Sequence, residues 1–327
     1  MTRAARLVVM MIRPPVVLVL FLFAAIGVAQ AGRGDALVPL FTVVPLIVAG
    51  WFVHATVVND LHDEAIDRVN LSNARGRPLV SGDATHRQLR TLGRSAAAVA
   101  LVTGFAVDWR VGAVVTAGLA LSTAYSRPPL RLCDRGALAS LLLPSGYVAV
   151  PFLVGLFSVR PAISSRELVL LAGLYLTFSG RILLKDFRDV RGDEMFGKRT
   201  FLVRHGPTRT CVVSAACWAA GSATMLLLFP WRSLIVAAFA ALLACALHGL
   251  RRLEATDGYV AQQVVIGAIA QTGRGMGVVL LAHLTMVGKG WGPPAQALVV
   301  VVLALLYAGM YAATLAERER VLAIRPY

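Results

Sequence analysis

The sequence predicts an all-α protein, a polytopic membrane bundle of nine or ten transmembrane helices, and three observations support that prediction. Of the 327 residues, 57% are hydrophobic and 15% are charged, with a mean hydropathy of +0.72, whereas soluble domains are about half apolar and about a quarter charged. Apolar runs of roughly twenty residues, the length that crosses a bilayer as a helix, recur along the chain. The Lys and Arg residues are distributed unevenly between alternate connections.

The apolar runs define ten predicted spans. In chain order they cover residues 14–31, 36–58, 90–107, 111–126, 136–157, 167–185, 208–229, 232–250, 260–288 and 295–316. The span at 260–288 is the least regular, because Gly273-Arg274-Gly275-Met276-Gly277 lies within it. A broken or partly re-entrant segment there would leave nine spans and would move the C-terminus across the membrane.

Counting the positive charges in the connections predicts the topology. With ten spans, the connections on one side carry 24 Lys and Arg residues and those on the other carry 6. The positive-inside rule therefore places the N-terminus and the long loops after the second and sixth spans in the cytoplasm. The net charge of +15 is explained by this topology, so the sequence predicts an integral, multi-pass membrane protein with no nucleic-acid partner.

Two acidic motifs with the same spacing lie where long apolar runs end. Residues 59–67 read Asn-Asp-Leu-His-Asp-Glu-Ala-Ile-Asp, and residues 186–193 read Asp-Phe-Arg-Asp-Val-Arg-Gly-Asp. The aspartates recur at i, i+3 and i+7, which stacks them on one face of a helix. Like charges on one face repel each other unless a cation binds them. Magnesium prefers oxygen ligands and shares them with substrate phosphates, so the motifs predict a Mg²⁺ site that holds a diphosphate.

Basic residues near these motifs are candidates for binding the phosphates. Arg77, Arg131 and Lys185 each flank a tight turn or an acidic motif, and a guanidinium binds phosphate oxygens through two parallel hydrogen bonds. Tyr125 lies at a span end, where its hydroxyl is either an interfacial group or a phosphate ligand. Aromatic residues within the spans either pack or line an apolar tunnel.

The motifs resemble those of the UbiA superfamily of intramembrane prenyltransferases. The first signature is Asn59-Asp60-x-x-Asp63-x-x-x-Asp67 followed by Arg77-Pro78-Leu79-Val80-Ser81-Gly82, the intermediate segment is Tyr125-Ser126-x-Pro128-Pro129-Leu130-Arg131-Leu132, and the second signature is Asp186-x-x-Asp189-x-x-Gly192-Asp193. The resemblance is strongest over residues 10–290, and it predicts one UbiA-like domain covering 1–327. The Pro-Pro-Leu form is similar to that of the branch containing chlorophyll synthases and homogentisate prenyltransferases.

The resemblance implies a helical bundle with a central cavity capped by cytosolic loops. It also implies Mg²⁺-dependent transfer of a prenyl group from a polyprenyl diphosphate donor to an aromatic or other lipophilic acceptor within the membrane. The implied metal ligands are Asn59, Asp60, Asp63, Asp67, Asp186, Asp189 and Asp193, of which Asp63, Asp67, Asp189 and Asp193 are the predicted catalytic residues. The predicted substrate-binding residues are Arg77, Tyr125, Arg131 and Lys185.

Two alternatives remain open on the sequence alone. A membrane terpene cyclase would share the ionisation of the diphosphate and would carry the same motifs, but it would form its product without an acceptor. A cation-coupled transporter would also need intramembrane acids. Transporter acids usually lie near the middle of the membrane, whereas these lie at span ends, which favours the enzyme.

Overall fold

The computed structural model describes residues 3–31, 37–70 and 76–324, and every regular element in those ranges is a helix. The chain divides into two compact units. The first contains Met1–Ile163 and Asp189–Thr200, and the second contains Ser164–Arg188 and Phe201–Tyr327. The helix that carries the second acidic motif begins in the second unit and continues into the first.

The first unit contains the following helices in chain order: α1 (Arg3–Ile12), α2 (Pro14–Gln30), α3 (Leu37–Phe41), α4 (Val43–His62), α5 (Glu64–Asn70), α6 (His86–Val107), α7 (Trp109–Ser126), α8 (Ala137–Pro144) and α9 (Val150–Phe157). A π-helical turn, Ser145–Ala149, joins α8 to α9. In this unit α4 packs against α6 and α7, and α2 packs against α9. Buried side chains of α2, α4, α6, α7 and α9 form its hydrophobic core.

The second unit contains the helices α10 (Ser165–Leu183), α12 (Phe201–Leu226), α13 (Leu234–Glu254), α14 (Tyr259–Gly288) and α15 (Pro293–Ile324), while α11 (Asp186–Met195) crosses between the units. Here α10 packs against α12, and α14 packs against both α13 and α15. The predicted interruption around Gly273 is absent from α14, which is one continuous helix of 30 residues. Gly273 instead gives room to the Trp218 ring, which would contact a Cβ at this position.

Local sequence signals account for several helix ends. Thr85 and Gln88 form a capping box at the start of α6, in which Gln88 N–H donates to Thr85 Oγ1 and Thr85 N–H donates to Gln88 Oε1. The side chain of Asp108 accepts from Arg110 N–H at 2.7 Å and caps α7. In α12, Gly206 has a φ of 76°, which lies outside the helical range. A kinked turn therefore precedes the predicted span that begins at residue 208.

Each of the ten predicted spans overlaps a helix of the structure. By length and apolar composition, five helices of the described chain could cross a membrane alone, and two bent pairs raise the total to seven. One bent pair is α1 with α2, which meet at 61° beside Arg13. The predicted fold class, an all-α polytopic membrane protein, is confirmed, and the number of spans stays a prediction.

A contact between backbones joins α2 and α9. A Cβ at Gly27 would overlap the carbonyl oxygen of Phe152, and a Cβ at Gly155 would overlap the carbonyl oxygen of Ala24. Small residues let helices approach this closely, and in a bilayer such packing replaces the missing hydrophobic drive for helix association. The two glycines therefore set the distance between α2 and α9.

Candidate active site

The first acidic motif lies at a junction between two helices rather than on one continuous helix. Asp60 belongs to the last turn of α4, Asp63 has φ −106° and ψ 12° and interrupts the helix, and Asp67 lies in α5. The hydrogen bonds from Asp63 N–H to the carbonyl of Asn59 and from Asp67 N–H to that of Asp63 continue across the interruption. The motif therefore keeps its spacing, but it lies across two helices rather than on one straight helix face.

All three carboxylates of this motif are buried. Asp60 is 3%, Asp63 is 6% and Asp67 is 7% exposed. Buried carboxylates are rare unless they are paired or bind a cation. Their burial therefore requires positive charge nearby.

Three arginines supply that charge. Arg77 Nη1 contacts Oδ1 of Asp60 and lies 3.2 Å from Oδ2 of Asp67. Arg13 Nη2 lies 2.7 Å from Oδ1 of Asp60. Arg131 Nη2 lies 2.9 Å from Oδ1 of Asp63. The structure thus brings Arg77 and Arg131, two predicted substrate-binding residues, onto the first motif.

Two of these arginines have unusual backbone conformations. Arg13 and Arg131, with φ of 46° and 36°, are the non-glycine residues with positive φ in the described parts of the chain. The left-handed region costs a non-glycine residue roughly 1–2 kcal/mol. Side-chain contacts compensate at Arg131, whose Nε also lies 2.6 Å from Oδ2 of Asp134. Strained conformations of this kind concentrate at functional sites, which marks the arginine contacts as part of such a site.

Asn59 supports Asp63 from the same helix. Its side-chain amide donates a hydrogen bond to Oδ2 of Asp63 at 2.7 Å, while Arg131 contacts the other oxygen. Both oxygens of Asp63 are therefore held in place, so the direction of this carboxylate is fixed before any ligand binds.

The surroundings shift the acidity of two groups beside the motif. Burial raises the pKa of Asp67 to about 6, and Arg77 opposes the shift while Asp60 and Asp63 add to it. Burial also raises the pKa of the Cys133 thiol to about 12, with Asp63 raising it further and Lys198 lowering it. Cys133 is thus close enough to both Asp63 and Lys198 to respond to their charges.

The second motif lies on α11, as the spacing predicted. Asp186 and Asp193 are buried and Asp189 is half-buried. Lys198 Nζ lies 3.5 Å from Oδ1 of Asp193. Lys198, which pairs with Asp193, and Asp63 of the first motif both shift the pKa of the Cys133 thiol. In the second unit, Lys185 Nζ lies 4.0 Å from Oδ1 of Asp186.

The donor set fits a hard divalent cation. Oδ2 of Asp60 is buried and has no hydrogen-bond partner in the described part of the chain, so one carboxylate oxygen is available for a ligand. No group of three or more His, Cys, Asp or Glu residues converges to metal-ligand geometry among the described residues. The arginines engage the carboxylates instead, and binding a cation requires their side chains to move away.

The remaining candidates and the residues that the sequence did not indicate complete the site. Tyr125 is half-buried in the last turn of α7, next to the buried Ser126. Arg13 and Cys133 were not predicted. The signal for Arg13 is its place before Pro14 at a span end on the same side as the motifs, whereas nothing in the sequence indicates Cys133.

Comparisons with known proteins identify the family of this chain. The model of the UbiA prenyltransferase family matches residues 18–263. The bacteriochlorophyll synthase 34 kDa chain of Chloroflexus aurantiacus is 28% identical over 192 residues, covering 58% of this chain and 60% of that protein. Digeranylgeranylglyceryl phosphate synthase of Methanoculleus marisnigri is 32% identical over 196 residues, covering 58% of this chain and 64% of that protein. The matched region thus spans less than two thirds of either relative.

A solved structure shares the fold. The structure of a UbiA homolog from Archaeoglobus fulgidus bound to DMAPP and Mg²⁺ has a TM-score of 0.56 at 16% identity, with 94% of this chain and 99% of that chain covered. The resemblance noted in the motifs is therefore confirmed along most of the sequence. Since the family model covers 18–263, the protein belongs to the UbiA prenyltransferase family.

Proposed function

We propose that this protein is a Mg²⁺-dependent membrane prenyltransferase that moves a prenyl group from a polyprenyl diphosphate to a lipophilic acceptor. The observation that carries the proposal is the set of three buried carboxylates held by Arg13, Arg77 and Arg131. Such a site contains both the ligands for a cation and the guanidinium groups for phosphate oxygens. The match to the UbiA prenyltransferase family and a UbiA homolog bound to DMAPP and Mg²⁺ support it.

The proposed cation ligands are Asn59, Asp60, Asp63 and Asp67 in the first motif. In the second motif they are Asp186, Asp189 and Asp193. When bound, Mg²⁺ supplies Lewis-acid stabilisation of the charge on a departing diphosphate. Before a cation binds, Asn59 and Arg131 hold the Asp63 carboxylate in one direction.

Arg77 and Arg131 are also candidates for binding the diphosphate. If the carboxylates bound a cation, these two guanidinium groups would be available to bind phosphate oxygens in bidentate fashion. Tyr125 and Lys185 are further candidates for contacting the diphosphate. The bond between the allylic carbon and the diphosphate oxygen breaks, the electron pair leaves with the diphosphate, and the acceptor attacks the resulting allylic cation and then loses a proton.

An aromatic cluster of α4 and the π-helical turn belongs to the core of the first unit. The ring centroids of Trp51 and Phe52 lie 6.4 Å apart, and those of Phe52 and Tyr147 lie 6.3 Å apart. Trp51 and Phe52 are each 3% exposed, so these two rings pack within the core rather than line an apolar tunnel.

Activity measurements on single variants test the proposal. Asp63→Ala and Asp189→Ala should each abolish turnover of a prenyl diphosphate while the protein remains folded in detergent, and EDTA should abolish turnover of the wild type. Glu64→Ala is the matched control, because Glu64 is an adjacent acid that pairs with the exposed Arg68 and does not belong to the aspartate spacing. Full activity of either aspartate variant, or undiminished turnover in EDTA, would exclude the metal–diphosphate mechanism.

Mass spectrometry of the product identifies the type of reaction and the acceptor. The protein is incubated with a panel of prenyl diphosphates, with and without a lipid extract. Transfer predicts a product that contains both the prenyl group and an acceptor from the extract. A cyclised hydrocarbon formed without the extract would assign the protein to the membrane terpene cyclases instead.

The proposed orientation places the N-terminus and both acidic motifs in the cytoplasm, because 24 of the Lys and Arg residues lie on that side. Reporter fusions at the loops after α5 and α11 check it. Reporters active only outside the cytoplasm should be inactive at both positions. Activity at either position would contradict the proposed topology.

A further inference from the structure

A cavity that is lined by none of the aspartates of the acidic motifs, although Leu61 and His62 contribute to it, opens between α4, α6 and α7. Its volume is about 480 Å³, within the usual range of small-molecule sites. Arg90 and Arg94 of α6 and Arg127 at the end of α7 line it. None of the arginines that contact the aspartates lines this cavity. It is therefore a different site from the one proposed to bind the diphosphate.

The cavity carries concentrated positive charge. Arg90, Arg94 and Arg127 are exposed, and none of them forms an ion pair with any acid in the described part of the chain. No lining residue among those described is acidic. Arg90 and Arg94 are spaced i, i+4 on one helix, an arrangement that destabilises a helix when no anion is present. These arginines therefore favour an anionic ligand.

The α4 side of the cavity is largely apolar. Val58 and Leu61 of α4 line it. His54 also lines it, with Nδ1 3.2 Å from the carbonyl oxygen of Gly93 and Nε2 3.3 Å from Oγ1 of Thr123. Both ring nitrogens of His54 are therefore engaged by α6 and α7. A fitting ligand therefore has an anionic end at the arginines and an apolar part toward α4.

The position of the arginines along the helices points to the membrane interface. Arg90 and Arg94 lie in the second and third turns of α6, and Arg127 directly follows the last residue of α7. The apolar parts of both helices lie beyond these residues, so the guanidinium groups are at the depth of lipid headgroups. Basic pockets between transmembrane helices at this depth bind anionic headgroups.

We infer that this cavity binds the phosphate headgroup of an anionic phospholipid, with part of an acyl chain against Val58 and Leu61. The bound lipid would neutralise Arg90 and Arg94 and would fill the space between α4, α6 and α7, and thereby stabilise their packing. The inference does not depend on the proposed chemistry.

Native mass spectrometry of the full-length protein in detergent, titrated with phosphatidylglycerol, tests the inference. The wild type should retain one phosphatidylglycerol with higher affinity than phosphatidylcholine. Arg90→Ala/Arg94→Ala should lower the affinity for phosphatidylglycerol roughly 30-fold, since each arginine near the membrane surface contributes about fivefold. Arg87→Ala is the matched control, because Arg87 is exposed on the same helix but does not line the cavity, and its affinity should equal that of the wild type.

A third variant tests the cavity without altering charge. Val58→Phe keeps all three arginines but reduces the space for an acyl chain, so it should also weaken binding of phosphatidylglycerol. If the double arginine variant fails to fold, binding of phosphatidylglycerol by Val58→Phe still tests the inference. Unchanged binding by Val58→Phe would overturn the assignment of the acyl chain to this cavity.

Inorganic phosphate distinguishes a lipid from a free anion. Millimolar phosphate should neither displace phosphatidylglycerol nor raise the thermal stability as the lipid does. Displacement by phosphate alone would assign the cavity to a free anion, and equal retention of phosphatidylcholine or equal binding by the double variant would remove the site. Each of these results overturns the inference.

Discussion

Replacing Arg77 with alanine should destabilise the metal-free protein by about 3 kcal/mol, because its guanidinium lies against two buried carboxylates. The side chain of Arg77 is 11% exposed, and those of Asp60 and Asp67 are 3% and 10% exposed. Removing one partner of a buried ion pair costs about 3–5 kcal/mol, since a buried charge then lacks compensation. The lower value applies because Arg13 still contacts Asp60. Asp67, whose pKa is about 6, can also take up a proton.

The assay is thermal unfolding of the purified protein in detergent, followed by the fluorescence of its five tryptophans in EDTA and in excess Mg²⁺. If the carboxylates bind the cation, Mg²⁺ should raise the unfolding temperature of Arg77→Ala more than that of the wild type, because it replaces the lost positive charge. Arg68→Ala is the control. Arg68 also pairs with an acid beside the motif, but its side chain is 57% exposed, so its pair with Glu64 contributes about 0.3–0.5 kcal/mol. An Arg77→Ala protein as stable in EDTA as Arg68→Ala would refute the reasoning.

Three other predictions concern the site and its support. Because the pKa of Asp67 is raised from 3.8 to about 6, its contribution to the stability of the metal-free protein is complete below about pH 3.8 and is lost as the pH rises through 6. Mg²⁺ needs the ionised carboxylate, so its affinity in titrations at pH 5–8 should fall about tenfold per unit below pH 6 and level off above it; constant affinity would contradict this. Gly27→Ala should destabilise the protein by about 1–3 kcal/mol in thermal unfolding, because the added carbon overlaps a backbone carbonyl. Gly267→Ala, where nothing lies within 4 Å, should not destabilise it, and equal effects would contradict the argument. Cys133, with a pKa of about 12, should react slowly with maleimide at pH 8, and Asp63→Asn should speed the reaction because a charge that raises this pKa is removed; an unchanged rate would contradict the prediction.

The sequence predicted the helices well because a membrane constrains them strongly. A backbone in lipid has to satisfy its own hydrogen bonds, so each long apolar run becomes a helix, and each predicted span overlaps one. The ends are less well determined by hydropathy. Helix α6 begins at His86 rather than 90, because the capping box of Thr85 and Gln88 starts it in a polar segment. That signal was present in the sequence but lay outside the apolar run.

Within the site, spacing predicted which residues meet but not the shape of the backbone between them. The i, i+3, i+7 pattern fits both a straight helix and one that is interrupted at Asp63, because the hydrogen bonds around it keep helical spacing in either case. The contact between Arg13 and Asp60 spans 47 residues and depends on the bend between α1 and α2. No local pattern encodes such a contact, although the place of Arg13 before Pro14 indicates where a guanidinium group is available.

The backbone contact at Gly27 couples the tilt of α2 to the position of Arg13 beside the first acidic motif. Arg13 precedes Gly27 by fourteen residues, which is roughly 21 Å of helix. A tilt of about 5° around the contact would move the start of α2 by about 2 Å over that length, which is comparable with the 2.7 Å separation of Arg13 Nη2 and Asp60 Oδ1. A substitution confined to the interface between α2 and α9 would therefore change the separation between Arg13 and the Asp60 carboxylate. Substitutions that alter activity without any contact to the site should accordingly concentrate along this interface.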